Sequence, residues 1–258
     1  MEAIQSLRLG SNHLSGPLPP AWSSLRLLAR LGLDNNTLSG TLPREWASMQ
    51  SMQSLSMDND NLTGSLPPAW SSMSGMLSLS LSSNAFTGTL PPAWASMQRL
   101  HSLWLVGNGA GALTGSLPPA WSAMSQLKVL DLAINTFSGP LPPAWGGMTQ
   151  LQSLYLDFNK LSGTLPPAWS GMTAMGELNL ASNDLSGSLP PTWGGMQQLA
   201  ALYLVSNPGL CGEVPAALTP ALQACCGLSN ATGGTHLGML CAAPPRRPLP
   251  LTPARGRH

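Results

Sequence analysis

Two unrelated residue types keep one spacing through most of this 258-residue chain. Asparagine recurs at Asn12, Asn36, Asn84, Asn108, Asn135, Asn159, Asn183 and Asn207, and Asp60 takes the remaining register position. Tryptophan recurs independently at Trp22, Trp46, Trp70, Trp94, Trp121, Trp145, Trp169 and Trp193. Of the eight steps in the first column, seven are 24 residues and one is 27, lengthened about Gly109-Ala110-Gly111. A period of this size means stacked units, each too small to bury its own apolar face. The chain is expected to be an array of nine turns with one continuous core.

Each unit reads LxxLxLxxNxLSGxLPPAW. The Leu-x-Leu stretch, as in Leu79-Ser80-Leu81, has the alternation of a strand with one inward face. Stacked turns bring such strands into a parallel sheet at about 4.8 Å per strand, so nine span roughly 40 Å. The asparagine stands where the chain leaves the strand, and its amide both donates and accepts, so a column of them satisfies the interior of the turns. Asp60 can only accept when ionised, and a local weakness is expected there. The following glycine allows a tight turn, and proline fixes φ before a short helical or 3₁₀ segment on the outer side. The tryptophans are expected to fill the core, with Met49, Met73, Met97, Met124, Met148, Met172 and Met196 as flexible fillers beside them.

The LSGxLP signature resembles that of plant-type leucine-rich-repeat proteins, a group of receptor-like proteins, receptor kinases and secreted inhibitors. The resemblance covers about residues 1–210. It implies an α/β repeat: a right-handed solenoid with a concave parallel β-sheet and short 3₁₀, helical or irregular convex segments. Trp and Met stand where that family usually has Leu, as in Trp70-Ser71-Ser72-Met73, which lends the repeats a green-algal flavour. The family starts with a cysteine-bearing cap. Met1 enters almost at a strand, so the expectation is a truncated start lacking that cap and the signal peptide. Asn207-Pro208-Gly209-Leu210-Cys211-Gly212 resembles the family's closing segment, implying a C-terminal cap over 211–241.

All four cysteines, Cys211, Cys225, Cys226 and Cys241, lie in that cap. Four cysteines allow three pairings, and adjacent residues rarely bridge. Cys211 with one of the middle pair and Cys241 with the other is the arrangement expected; free thiols remain an open alternative. Zinc is not expected, because CxxC spacing is absent. Residues 242–258 form a Pro/Arg-rich tail, expected to be disordered.

Charge narrows the partners. Residues 1–241 hold seven Lys/Arg against ten Asp/Glu, a balance of −3, whereas the last seventeen residues carry four Arg. A mildly acidic array without a basic stripe is not expected to bind nucleic acid. No run approaches the roughly 18 apolar residues of a membrane span. The four histidines are scattered, and no nucleophile, phosphate-loop or metal-ligand motif occurs, so neither catalysis nor a cofactor or metal is expected.

Binding has more support. The residue between the two inward leucines of each strand reads Arg8, Gly32, Ser56, Ser80, Trp104, Asp131, Tyr155, Asn179 and Tyr203 along the array. Later turns therefore carry aromatics and acids. Trp104, Tyr155, Phe158 and Tyr203, with Asp131, Asp157 and Glu177, are expected to form one patch on the concave face, with protein, peptide or carbohydrate as ligand. The insertion about Gly109-Ala110-Gly111 is expected to form a lip beside it. Three sequons, at Asn35, Asn61 and Asn230, are candidate glycosylation sites if the protein is exported. The expected location is extracellular or the cell surface; the alternative is a cytoplasmic scaffold of the cytoskeleton or ciliary axoneme.

Overall fold

The computed structural model describes residues 4–108, 113–221 and 233–237. The Gly109-Ala110-Gly111 lip, Cys225, Cys226, Cys241, Asn230 and the tail from 242 lie outside the described residues.

The leucine alternation builds a nine-stranded parallel sheet from Ser6–Arg8, Arg30–Gly32, Ser54–Ser56, Ser78–Ser80, Ser102–Trp104, Val129–Asp131, Ser153–Tyr155, Glu177–Asn179 and Ala201–Tyr203, in sequence order. Its central leucines stack in register, Leu31 on Leu55, Leu55 on Leu79, and Leu103 on Leu130 across the longer step. The helical component of the repeats is a 3₁₀ turn in each, such as Pro68–Ser72, with proline in its first turn. Between them lies one core cluster running from Leu18 to Ala221.

The Leu-Ser-Gly stretch departs from the tight turn expected of it. It forms a second parallel sheet, ten strands from Ser15–Pro17 through Gly209–Gly212 to His236–Leu237. A single turn gives this segment no partner, so its ladder exists only once turns stack. The sheet also continues past residue 210 into the expected cap, where Cys211 pairs with His236. Register differs between the two sheets: neighbours are 24 residues apart in the first, as Leu7 to Leu31, and 22 in the second, as Leu38 to Gly16 in reverse. A slip of two keeps every side chain on its own face, because strand side chains alternate with period two.

The tryptophan column is core. Trp46, Trp70, Trp94, Trp121, Trp145, Trp169 and Trp193 are fully buried. Trp46 stacks on Trp70 at 6.2 Å between ring centroids and 6° between planes. Each indole also donates across the stack, as Trp70 Nε1 to Pro43 O at 2.9 Å and Trp193 Nε1 to Pro166 O at 2.9 Å. A leucine in that place could not make this bond, which contributes about 1 kcal/mol per turn. The seven methionines expected beside the indoles are buried too.

The asparagine ladder ties three segments together. Asn183 Nδ2 donates to Leu156 O at 2.9 Å in the preceding turn and to Leu180 O at 3.1 Å in its own, while Oδ1 accepts from Leu161 N at 2.9 Å. Asp60 accepts from Leu38 N at 2.9 Å through Oδ1, but Oδ2 is buried with no partner. This is the weakness expected of a carboxylate there. Two further rungs fail around the insertion, where Oδ1 of both Asn108 and Asn135 is buried and unpartnered among the described residues. Each such atom costs about 1–3 kcal/mol.

Candidate ligand-binding face

The outward residues of the first sheet sort into a polar early half and an aromatic later half. In the early half the carboxylates are occupied by the chain's own hydroxyls and amides. Ser80 Oγ donates to both oxygens of Asp58, at 2.7 and 2.6 Å, and Ser82 N donates to Oδ1 at 2.6 Å. Asn35 Nδ2 donates to Asp34 Oδ2 at 3.0 Å. Arg8, Arg30 and Asp34 line a shallow depression of about 370 Å³ here, and of these Arg8 heads the outward column read from the sequence.

The later half brings most of the expected patch together. Trp104, Asp131, Tyr155, Asn179 and Tyr203 are successive register partners, each directly opposite the next. Every one is half-buried. Glu177 belongs to the neighbouring column, yet Tyr155 reaches it: the phenol donates to Glu177 Oε2 at 2.7 Å. No ion pair engages Asp131, Asp157 or Glu177 among the described residues.

This environment disfavours charge. Burial pushes Asp131 up to about 6, and the nearby Asp157 carboxylate adds to the rise, against a stabilising bond from Ala133 N at 3.1 Å. Burial also raises Asp157. Tyr155 is pushed up to about 12, first by burial and then by its bond to the Glu177 carboxylate. The row is thus a set of desolvated, hydrogen-bonding groups around aromatic surface.

Phe158 lies three positions beyond the strand Ser153–Tyr155, and beside it stands a residue that the sequence pattern did not flag, Ile134. The backbone links the two turns: Ile134 N donates to Asp157 O at 2.9 Å and Asn135 N to Phe158 O at 3.2 Å. Both side chains are exposed, Ile134 at 55% and Phe158 at 58%. Both backbones are left-handed, at φ 56° and 52°. The same position is left-handed in every turn, and elsewhere holds Ser11, Asn35, Asn59, Ser83, Gly107, Ser182 or Ser206. Gly and Asn suit that conformation, Ser bears the cost of about 1–2 kcal/mol that an L-residue pays there, and a β-branched or bulky residue is the least suited. The column itself was legible in the sequence; its left-handed geometry was the missing signal.

Asn35 and Asn61 are both exposed. No group of three or more His, Cys, Asp or Glu side chains suited to a metal occurs among the described residues. No helix among them is long and apolar enough to cross a membrane.

Comparisons with known proteins agree with this architecture. The Leucine Rich Repeat family model matches residues 3–25, 76–97, 126–148, 150–172 and 176–196. A crystal structure of a TDR receptor is similar at 26% identity and TM-score 0.81, over 91% of this chain and 39% of that one. The Arabidopsis receptor kinase HAESA, in complex with the peptide hormone IDA and the co-receptor SERK1, is similar at 26% identity and TM-score 0.82, over 92% and 38%. A plant ice-binding protein shares the fold at 22% identity and TM-score 0.64, over 92% and 83%. No curated protein matches the chain. The chain spans about two fifths of the two receptor structures. It is a leucine-rich-repeat solenoid of the plant type.

Proposed function

We propose that this chain is a non-enzymatic recognition module that binds a peptide or protein ligand on the later half of its first sheet. One observation carries the reading: two strained, exposed apolar side chains, Ile134 and Phe158, stand beside the aromatic and acidic row from Trp104 to Tyr203. Solitary exposed apolar residues are ordinary on protein surfaces. A pair that also carries backbone strain is the signature of a site maintained at a cost in stability. HAESA, similar over most of this chain, is a receptor whose structure holds a peptide hormone, which supports a peptide as the ligand class.

On this reading the chain works outside the cell or at its surface. Part of the proposal is that Cys211 is disulfide-bonded, a state that persists in oxidising compartments. The exposed Asn35 and Asn61 are the glycan acceptors it offers there.

The probe is a displayed library of short random peptides, selected on the purified chain. Peptides so recovered are expected to bind Trp104→Ala/Tyr155→Ala at least about tenfold more weakly, as expected when two anchors are removed, with the thermal unfolding of the array retained. Equal affinity for that folded double variant would overturn the reading. Finding four free thiols in native material by non-reducing mass spectrometry would overturn its extracellular part.

A further inference from the structure

The second sheet has a regularity that recognition of a single ligand does not require. Three columns of this sheet face outward, and the two that flank the repeat glycine are chemically uniform. The one before it is part of the repeat signature and holds Ser or Thr in all eight turns from Ser15 to Ser186. The one after it is the position the signature leaves open. It nevertheless holds Ser or Thr in six turns, and Pro17 and Pro140 in the other two. Through these eight turns neither column contains a charged residue, whereas the third outward column holds Lys160 opposite Ser138 and Asp184 opposite Ser162.

The two-residue slip turns these columns into a grid. Thr41 lies opposite Thr63, Ser65 opposite Thr87, and Thr89 opposite Thr114, so the column after glycine in one turn meets the column before glycine in the next. All six are exposed. Neighbours across the sheet are about 4.8 Å apart, and the two hydroxyl positions on one strand are roughly 6.6 Å apart. The Thr89–Thr114 pairing shows that the grid continues across the insertion in the chain.

Two of the hydroxyls make long bonds back to the sheet. Thr63 Oγ1 donates to Gly40 O at 3.3 Å and Thr114 Oγ1 to Gly88 O at 3.4 Å. A hydroxyl that donates to the sheet leaves its lone pairs for solvent. The glycines make room for the methyl groups: a Cβ on Gly64 would stand 2.7 Å from Thr41 Cγ2, and one on Gly115 would stand 2.8 Å from Thr89 Cγ2. Both residues are at positive φ, 79° and 81°, so the close approach and the turn geometry demand the same residue.

We propose that this hydroxyl grid is an ice-binding face. Its two repeat distances are of the same order as the oxygen repeats of the ice lattice. Water bridged to oriented hydroxyls at those spacings can continue into a crystal, since bridging waters are nearly as favourable as direct hydrogen bonds. Charged groups would order water around themselves instead; the two hydroxyl columns hold none from Ser15 to Ser188, and Lys160 and Asp184 confine the charge-free stretch of the face to the earlier turns. Single contacts are weak, but a rigid array presents many at once to a repeating surface. A protein partner would call for relief and for aromatic or Arg anchors, both lacking in these columns. Likeness to the plant ice-binding protein at 22% identity speaks to fold alone; the hydroxyls carry the case.

The test measures coarsening of ice grains in a frozen sucrose solution containing the purified chain. Slowed coarsening is expected, with faceting of single crystals grown in its presence. Ser65→Lys with Thr89→Lys is expected to lose at least about tenfold in potency, through lost multivalent contact, with its circular dichroism and melting unchanged. Thr41→Lys with Thr164→Lys supplies a second pair if the first fails to fold. Tyr155→Ala, on the other sheet, should retain full potency, which separates this inference from the peptide-binding reading. Three results would each overturn it: no effect of the unaltered chain up to its solubility limit, full potency in a folded lysine pair, or retention on crystalline cellulose without any effect on ice. Self-association that the lysine pairs abolish, without ice activity, would make the face a contact between copies instead.

Discussion

The phenol of Tyr155 donates to the carboxylate of Glu177 across 2.7 Å, from the third residue of one strand to the first residue of the next. The bond joins two columns of the first sheet that straight register keeps apart, since Tyr155 itself faces Asp131 and Asn179.

The chain has only two tyrosines, Tyr155 and Tyr203, so their titration is readable by ultraviolet absorbance. One should ionise at about 12, the value to which burial and Glu177 push Tyr155. In Glu177→Gln that value is expected to fall without reaching the ordinary phenol range, because burial, the larger cause, persists. An unchanged titration in Glu177→Gln would show the bond absent in solution.

Asp60→Asn is expected to stabilise the array by about 1–3 kcal/mol at neutral pH, by supplying a donor where Oδ2 is unpartnered. The sign of the pH dependence follows from burial, which raises the Asp60 pKa in the fold above its value of 3.8 in the unfolded chain. The unfolded state therefore releases its proton first. Stability is lost as pH rises from that value through the folded one, and is regained on acidification. Urea titrations across the acidic range should show this slope in the unaltered chain and a shallower one in Asp60→Asn.

Ile134→Asn and Phe158→Asn should each raise stability by about 1 kcal/mol, since asparagine tolerates the left-handed backbone that the native residues occupy under strain. Urea midpoints check this directly. The same substitutions should weaken the peptides selected on the unaltered chain. Stabilisation without loss of binding would leave the strain unrelated to recognition.

Much of this molecule was readable from residue spacing. The nine strands, their order, the tryptophan core and the defect at Asp60 follow from a period of 24 and from the chemistry of the repeated residues. Trp104, Asp131, Tyr155 and Tyr203 stand in one row, because a fixed repeat converts sequence position into register. Glu177 joins the patch by reaching out of its own column, a diagonal contact that no spacing encodes. Ile134 went unread because its conspicuousness depends on a backbone angle rather than on its column.

The sequence alone determined that this protein is a stack of turns and which residues each turn buries, since a 24-residue unit has no other way to cover its leucines. Tertiary structure decided what the stack presents. The Leu-Ser-Gly segments become a second sheet only when another turn supplies hydrogen-bond partners. Their slip of two residues, which sets the hydroxyls into a grid, is settled by how whole turns pack and not by any residue within one.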